Sequence, residues 1–357
     1  MKNFDIMEKF GHEQVIFCSD KESGLKAIIS IHDTTLGPAI GGTRMFNYSS
    51  FDEALNDVLR LSRGMTYKAS VSGLNFGGGN AVIIGDPEKL KSERLFRTFG
   101  KFIEGLAGRY ITAEDVGTTV KDMEYVLMET SFVTGISKSL GGSGDPAPVS
   151  AYGVYVGMKA CAKSKWGSDS LHGKKIVIQG AGRVAKYLCE HLYNEGAKIT
   201  VTDIVESKIK TILESIDAEF IEPNKVYSEE CDIFSPCALG AVINDTTIPQ
   251  FKCEIIAGSA NNQLEDENKH GAMLKDKGIL YAPDYVINAG GLINVANELK
   301  GYRQDRALKQ ADGIYDVLTK VIKISQEQNI PTHLASNQLA EERLKQIGGI
   351  KKIYSTN

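Results

Sequence analysis

The chain has 357 residues, of which 42% are hydrophobic and 24% charged, and its formal net charge is -4. That length suits two domains, each large enough to bury a core. The slight acidity, with no clustered run of Lys and Arg, excludes nucleic-acid binding through charge. No apolar run approaches the ~20 residues of a membrane span, and Met1 to Phe10 has no signal-peptide core, so a cytoplasmic protein is expected. Cys18, Cys161, Cys189, Cys231, Cys237 and Cys253 include no CxxC pair, and the six histidines form no metal-ligand spacing, so reduced packing thiols and no metal site are expected.

From Gln14 to Asp33 two β-rich runs flank Asp20-Lys21-Glu22-Ser23-Gly24, the composition of a hairpin. Gly37-Pro38-Ala39-Ile40-Gly41-Gly42 reads as a glycine-rich loop, either a tight turn or a place where backbone approaches a small ligand. Ser50 followed by Glu53 is a capping box, and Phe51, Leu55, Val58 and Leu59 share one helical face, so a helix runs from there toward Arg63. Next come Lys68 and the run Gly77-Gly78-Gly79-Asn80-Ala81-Val82-Ile83. Three glycines entering an apolar strand strip one side of the backbone, so a substrate is expected to lie against it, with Lys68 as the cation for a carboxylate.

Pro87 to Leu106 has the apolar spacing of one core-facing helix. Tyr110 to Gly117 reads as a strand ending in Glu114 and Asp115. Acids at a strand end either sit where α/β sheets keep their ligands or cap the next helix. Gly141 to Pro148 is the composition of a domain boundary, and a helix over about 150–163 leads into the second half.

There Lys174 to Gln179 is an apolar strand running into Gly180-Ala181-Gly182-Arg183-Val184-Ala185 and a helix to about Asn194. The next strand ends in Asp203, about 20 residues past the glycines, which completes the dinucleotide-binding fingerprint. Gly180 makes the turn, Gly182 lets a pyrophosphate reach the helix N-terminus, and Ala185 permits close helix–strand packing. Asp203 is expected to bond the adenosine ribose and to repel a 2′-phosphate, favouring NAD over NADP. Short apolar strands at 231–237, 254–257 and 278–281 suit a doubly wound parallel sheet. Asn261-Asn262 and Asn288-Ala289-Gly290-Gly291 are read as strand ends, and helices are expected to about Gln328 and over 337–346. The fold class is α/β, with an N-terminal α/β substrate domain over 1–140, joined by a C-terminal helix 330–357, and a Rossmann-type NAD domain over 141–329.

Gly37 to Met45, Leu59 to Lys68, Gly77 to Gly79, Thr112 to Gly117, Gly180 to Gly182, Gly258 to Asn262 and Asn288 to Asn294, in this order along nearly the whole chain, resemble the Glu/Leu/Phe/Val dehydrogenase family, closest to its leucine-oxidising branch. The resemblance implies oxidation of an L-amino acid to its 2-oxo acid and ammonia with reduction of NAD, in a homo-oligomer that in this family is often an octamer. It implies that Lys68 holds the substrate carboxylate, that Asp115 handles the amino group and its protons, and that Asn262 orients substrate and nicotinamide. Ser150 stands where the family usually has a threonine near the nicotinamide amide. Gly41, Gly42, Ile40 and Met65 fall to the substrate pocket, the last two suiting a branched aliphatic side chain.

One position departs. The residue after the glycine run is a second lysine in the family, the general base that activates water against the imine. Here it is Asn80, whose amide offers hydrogen bonds and takes no proton. General acid–base groups contribute roughly 10² to 10⁴ in rate. Three outcomes follow: a slow dehydrogenase in which water or Asp115 covers for the lysine, a reaction without imine hydrolysis, or a silent homologue that binds NAD and an amino acid.

Overall fold

A computed structural model describes residues 2–350. Two compact units emerge: 2–145 with 295–303 and 340–350, and 146–294 with 304–339.

In the first unit the order is α1 (Lys2–Phe10), β1 (Gln14–Asp20), β2 (Leu25–Asp33), β3 (Ala39–Phe46), α2 (Phe51–Val71), β4 (Gly77–Ile84), α3 (Pro87–Leu90), α4 (Glu93–Glu104), β5 (Tyr110–Glu114) and α5 (Val120–Leu127). The strands form one sheet in the order β1-β2-β4-β3-β5. The hairpin pairs in full register from Gln14 opposite Ile31 to Asp20 opposite Leu25. Side-chain alternation then builds three layers. Ile29, Ile31, Ala81 and Ile83 pack with Leu95, Phe96 and Phe99 of α4 and with Met123 and Val126 of α5. Their neighbours Ile28 and Val82 face the other way, onto Ala54, Leu55, Val58 and Leu59 of α2. Each fully enclosed Phe or Ile in these layers contributes roughly 1.5 to 3 kcal/mol.

Several elements differ from the sequence expectation. The Gly37–Gly42 loop is already strand from Ala39, hydrogen-bonded between β4 and β5. The helix expected over Pro87–Leu106 is two, because Asp86 caps α3, Lys91 is extended and Ser92 caps α4 through the Leu95 amide. At Ser50 half of the capping box forms: its hydroxyl accepts from the Glu53 amide, and the Glu53 carboxylate turns instead to the amide and hydroxyl of Ser49.

The second unit carries α6 (Ala147–Trp166), β6 (Lys175–Gln179), α7 (Arg183–Asn194), β7 (Lys198–Thr202), α8 (Glu206–Leu213), β8 (Glu219–Phe220), β9 (Ile233–Pro236), β10 (Ile255–Ile256), α9 (Glu267–Asp276), β11 (Leu280–Tyr281), α10 (Asp284–Ile287), α11 (Gly290–Ala296), α12 (Gln304–Ala311), α13 (Gly313–Gln328) and α14 (Thr332–Gly348), with α11 and α14 each running into a stretch counted with the first unit. Its six strands are parallel in the order β11-β10-β9-β6-β7-β8, the doubly wound arrangement, with the order reversing between β6 and β9. Asn288 ends the short helix α10, and Gly290 opens α11, so this stretch joins helices where a strand end was expected.

The stretches that return to the first unit are 295–303 and 340 onward, where the sequence suggested a single helix over 330–357; the part of that helix beyond 350 lies outside the described residues. Specific bonds explain the return. Glu298 accepts from the Gly135 amide at 3.0 Å. The Tyr67 hydroxyl donates to Glu341 at 2.7 Å, and Arg343 donates to the Leu74 carbonyl at 2.8 Å. Among the described residues no helix is long and apolar enough to cross a membrane.

Candidate active site

In the first unit the glycine run lies on β4, in the interior of the sheet, and all three glycines are buried. Their missing side chains are replaced by protein. A β-carbon on Gly77 would come within 1.9 Å of the Asp33 carbonyl oxygen, and one on Gly78 within 2.1 Å of the Thr66 amide nitrogen of α2. On Gly79 it would meet the Tyr110 ring at 2.7 Å. The expected open wall for a substrate is therefore closed, because α2 and Tyr110 occupy that space. The hydroxyl of Tyr110 in turn donates to the carbonyls of Gly41 and Gly42, at 3.1 and 3.0 Å.

Asn80 follows on the same strand, opposite Ser30 of β2, and has the same strand parity as Val82, so it faces the α2 side. It is 2% exposed, and its amide nitrogen has no hydrogen-bond partner. Its oxygen lies 3.1 Å from where a β-carbon on Gly41 would stand. A β-carbon on Gly42 would meet the Asp115 β-carbon at 2.6 Å. Asn80 and Asp115 thus flank one Gly-Gly step of β3. The Asp115 carboxylate accepts from the Val116 amide at 2.7 Å and lies 3.5 Å from the Arg44 guanidinium. Ile40 is fully enclosed on β3. Met65 and Lys68 are half-buried on α2, three residues apart and hence on one side of that helix.

The second unit arranges its glycines differently. Gly180 leaves β6 with φ +108°, a conformation that favours glycine, and a β-carbon there would meet Ala238 beyond β9 at 2.9 Å. At Gly182, the N-cap of α7, a β-carbon would meet nothing within 4 Å. Arg183 and Val184 open the helix behind it, and Ala185 is packed against the sheet, 1% exposed. Open space before the N-terminus of a 12-residue helix, at the point where strand order reverses, fits a dinucleotide pyrophosphate. Asp203 follows β7 and accepts from the Ala181 and Val205 amides, both at 2.8 Å. Its burial favours the neutral acid, but these amide bonds outweigh that and hold the carboxyl below its ordinary range.

Farther along, Asn262 is exposed in the left-handed conformation, φ +49°, which asparagine tolerates better than most residues. Its loop is braced by Gln263, which donates to the Gly258 and Ala260 carbonyls at 2.9 Å. Asn288 donates to the Asn261 side chain at 2.7 Å. The Ser150 hydroxyl, in the first turn of α6, donates to the Pro146 carbonyl, and a β-carbon on Gly291 would lie 3.0 Å from it.

A family model described as Glu/Leu/Phe/Val dehydrogenase, dimerisation domain, matches residues 12–132, and one described as Glutamate/Leucine/Phenylalanine/Valine dehydrogenase matches 141–205 and 200–348. The chain belongs to the Glu/Leu/Phe/Val dehydrogenase family. A leucine dehydrogenase of Thermoactinomyces intermedius is 60% identical over 345 residues, 97% of this chain and 94% of that one. One of Bacillus cereus is 58% identical over 354 residues, covering 99% and 96%. Among solved structures, the L-tryptophan dehydrogenase of Nostoc punctiforme superposes with a TM-score of 0.85 at 47% identity, covering 96% of this chain and 99% of its own.

As an amino-acid dehydrogenase of this family, the chain carries the expected substrate residues other than Asn262 in its first unit, and Asn262 with the expected cofactor residues in its second. The structure brings Gly41, Gly42 and Asn80 on adjacent strands together with Asp115, which follows β5, and sets Met65 and Lys68 on α2. Sequence reasoning missed Arg44, Gln263 and Asn288. Arg44 faces the opposite side of β3 from its buried neighbours Thr43 and Met45, and its partners Asp57 and Asp115 are distant in sequence, so its role was not readable there. The Asn288 bond depends on where separate segments meet and the Gln263 bonds on how its own loop turns, and neither left a mark in the spacing.

Proposed function

We propose that this dehydrogenase oxidatively deaminates a branched-chain L-amino acid, with L-leucine as the type substrate, to the 2-oxo acid and ammonia. The observation that carries this reading is near-full-length identity of 58–60% to leucine dehydrogenases. Lys68 holds the substrate carboxylate, and Met65 supplies apolar surface for the side chain; Ile40, expected beside it, is fully enclosed and backs the wall without touching substrate. Asp115 accepts a proton from the substrate ammonium, so that the amine can become an imine. NAD bound at Gly180 to Ala185, with Asp203 on its ribose, supplies the hydride acceptor. Asn262 orients substrate and nicotinamide, and the Ser150 hydroxyl serves the nicotinamide amide. We place the protein in the cytoplasm as a homo-oligomer, an octamer by family resemblance.

Asn80 sets the rate in this reading. Its amide nitrogen is buried without a hydrogen-bond partner, and leaving such a donor unmade costs roughly 1 to 3 kcal/mol. It cannot take the proton that a lysine takes, so hydrolysis of the imine falls to water with Asp115. The same observation favours the second reading, a silent homologue that binds NAD and amino acid without turnover.

The deciding experiment incubates the protein with L-leucine and NAD, follows reduced cofactor by absorbance, and repeats the assay with Asn80→Lys. Measurable turnover by the unaltered chain, raised roughly 10² to 10⁴-fold by the lysine, is expected. Calorimetric binding of both ligands with no turnover in the unaltered chain would establish the silent homologue instead.

A further inference from the structure

Asp115 does not stand alone. Arg44 of β3 reaches it with one guanidinium nitrogen at 3.5 Å and, with another, holds Asp57 of α2 at 3.0 Å. Asp57 also accepts from the Tyr48 hydroxyl at 2.6 Å. The Arg44 side chain is 19% exposed, and those of Asp57 and Asp115 are 27% and 21% exposed. Burial opposes the charge on Arg44, and the carboxylates of Asp115 and Asp57 more than restore it.

The Asp115 loop is sewn to the same strand on either side of Arg44. The Met45 amide donates to the Val116 carbonyl at 2.9 Å, and the Thr118 hydroxyl donates to the Thr43 carbonyl at 2.8 Å. One Asp115 oxygen takes the Val116 amide and the other faces Arg44, so the carboxylate is held from two directions in one orientation. The missing β-carbon of Gly42 makes room for it.

We propose that Arg44, itself anchored by Asp57 and Tyr48, is a positioning residue that aims the Asp115 carboxylate at the substrate amino group. This rests on the assignment of Asp115 as the proton acceptor. Arg44 touches no substrate in this account; it acts on turnover through Asp115. In a chain whose Asn80 takes no proton, the aim of Asp115 decides how fast the step runs. Misplacing a reacting group by about 1 Å costs on the order of 10²-fold in rate.

The test measures kcat and KM for L-leucine and NAD with Arg44→Met, Arg44→Lys and Asp57→Asn, in both the unaltered chain and the Asn80→Lys chain. Arg97→Met, which removes an exposed ion pair with Glu129, serves as the control. Arg44→Met is expected to lower kcat about 10²-fold, Arg44→Lys to recover most of that loss, and Asp57→Asn to lower kcat about tenfold. Both KM values stay within roughly threefold of the parent, and Arg97→Met changes nothing. Unchanged kcat in Arg44→Met overturns the proposal. So does an equal loss in Arg44→Met and Arg44→Lys accompanied by a lowered melting temperature, which marks a purely structural ion pair. No leucine turnover in either parent chain overturns instead the functional reading, and the role of Arg44 with it.

Discussion

Two glycine clusters punctuate the chain, Gly77-Gly78-Gly79 on β4 and Gly180-Ala181-Gly182 after β6, and they do opposite things. Around the first, every missing β-carbon is replaced by protein atoms at 1.9 to 2.7 Å. At Gly182 nothing lies within 4 Å. A glycine in a sequence states only that a side chain is excluded there. Whether protein or ligand fills the space depends on the partner elements, which for β4 are the Asp33 backbone, α2 and Tyr110 and for Gly182 are none among the described residues.

Alanine at each site separates the two cases. The largest effect is expected for Gly78→Ala. The new β-carbon would stand 2.1 Å from the Thr66 amide nitrogen and 2.4 Å from the Ser62 carbonyl oxygen, both backbone atoms that cannot swing aside. Moving α2 off the sheet costs about 3 kcal/mol or more, and thermal or urea unfolding should show it. Next comes Gly182→Ala. Its backbone, at φ -74°, is one that alanine adopts. Loss of stability should stay below about 1 kcal/mol, as for other replacements at a helix N-cap. NAD binding should weaken about 10- to 100-fold by titration, roughly 1.4 to 2.8 kcal/mol. A stability loss at Gly182 matching that at Gly78, with NAD affinity unchanged, would erase the distinction.

The same contrast explains what was legible in the sequence. The second cluster was read in full because strand, turn, helix, strand and Asp203 form one local unit of about 30 residues whose spacing is set by covalent geometry. The hairpin through Asp20–Gly24 and the strand character of Gly77–Ile84 were local too. What stayed hidden depends on distant partners. Gly78 needs Thr66 of α2, Asp115 needs Arg44 across two strands, and α14 divides because Tyr67 and Leu74 meet its far end. The break at Lys91 was hidden for another reason: the apolar spacing continues through it, and only the cap at Ser92 marks the interruption. Two-residue strands such as β8 and β10 are too short to show a period.

Asp203 sharpens the second cluster, because its carboxylate serves the protein as well as the expected ribose. It accepts from the Ala181 amide inside the glycine turn and from Val205. Asp203→Asn keeps one acceptor oxygen and removes the charge that repels a 2′-phosphate. Preference for NAD over NADP should fall by about tenfold, in line with a charged hydrogen bond worth ~1.5 to 3 kcal/mol, while the KM for leucine stays level. If the preference holds and only melting temperature drops, Asp203 is an anchor of the turn alone.

The smallest effect concerns the seam that the first cluster makes possible. Where Gly78 lets α2 settle, buried polar groups tie the helix down. His12 bonds the Leu59 carbonyl at 3.0 Å and the Ser62 hydroxyl at 3.1 Å, and His32 bonds the Thr66 hydroxyl at 2.8 Å. Burial and the neighbouring His32 pull His12 down from 6.5 to about 4, and burial lowers His32 as well. The unfolded chain therefore takes up protons that the folded chain refuses once the pH falls below 6.5. Stability is full above that value and is lost progressively toward pH 4. His12→Gln keeps a donor for the Leu59 carbonyl and does not titrate, so its melting temperature should fall less than the parent's between neutral pH and about pH 5. Equal falls in the two proteins would take the pH response away from His12 and leave it to His32 or to groups away from α2.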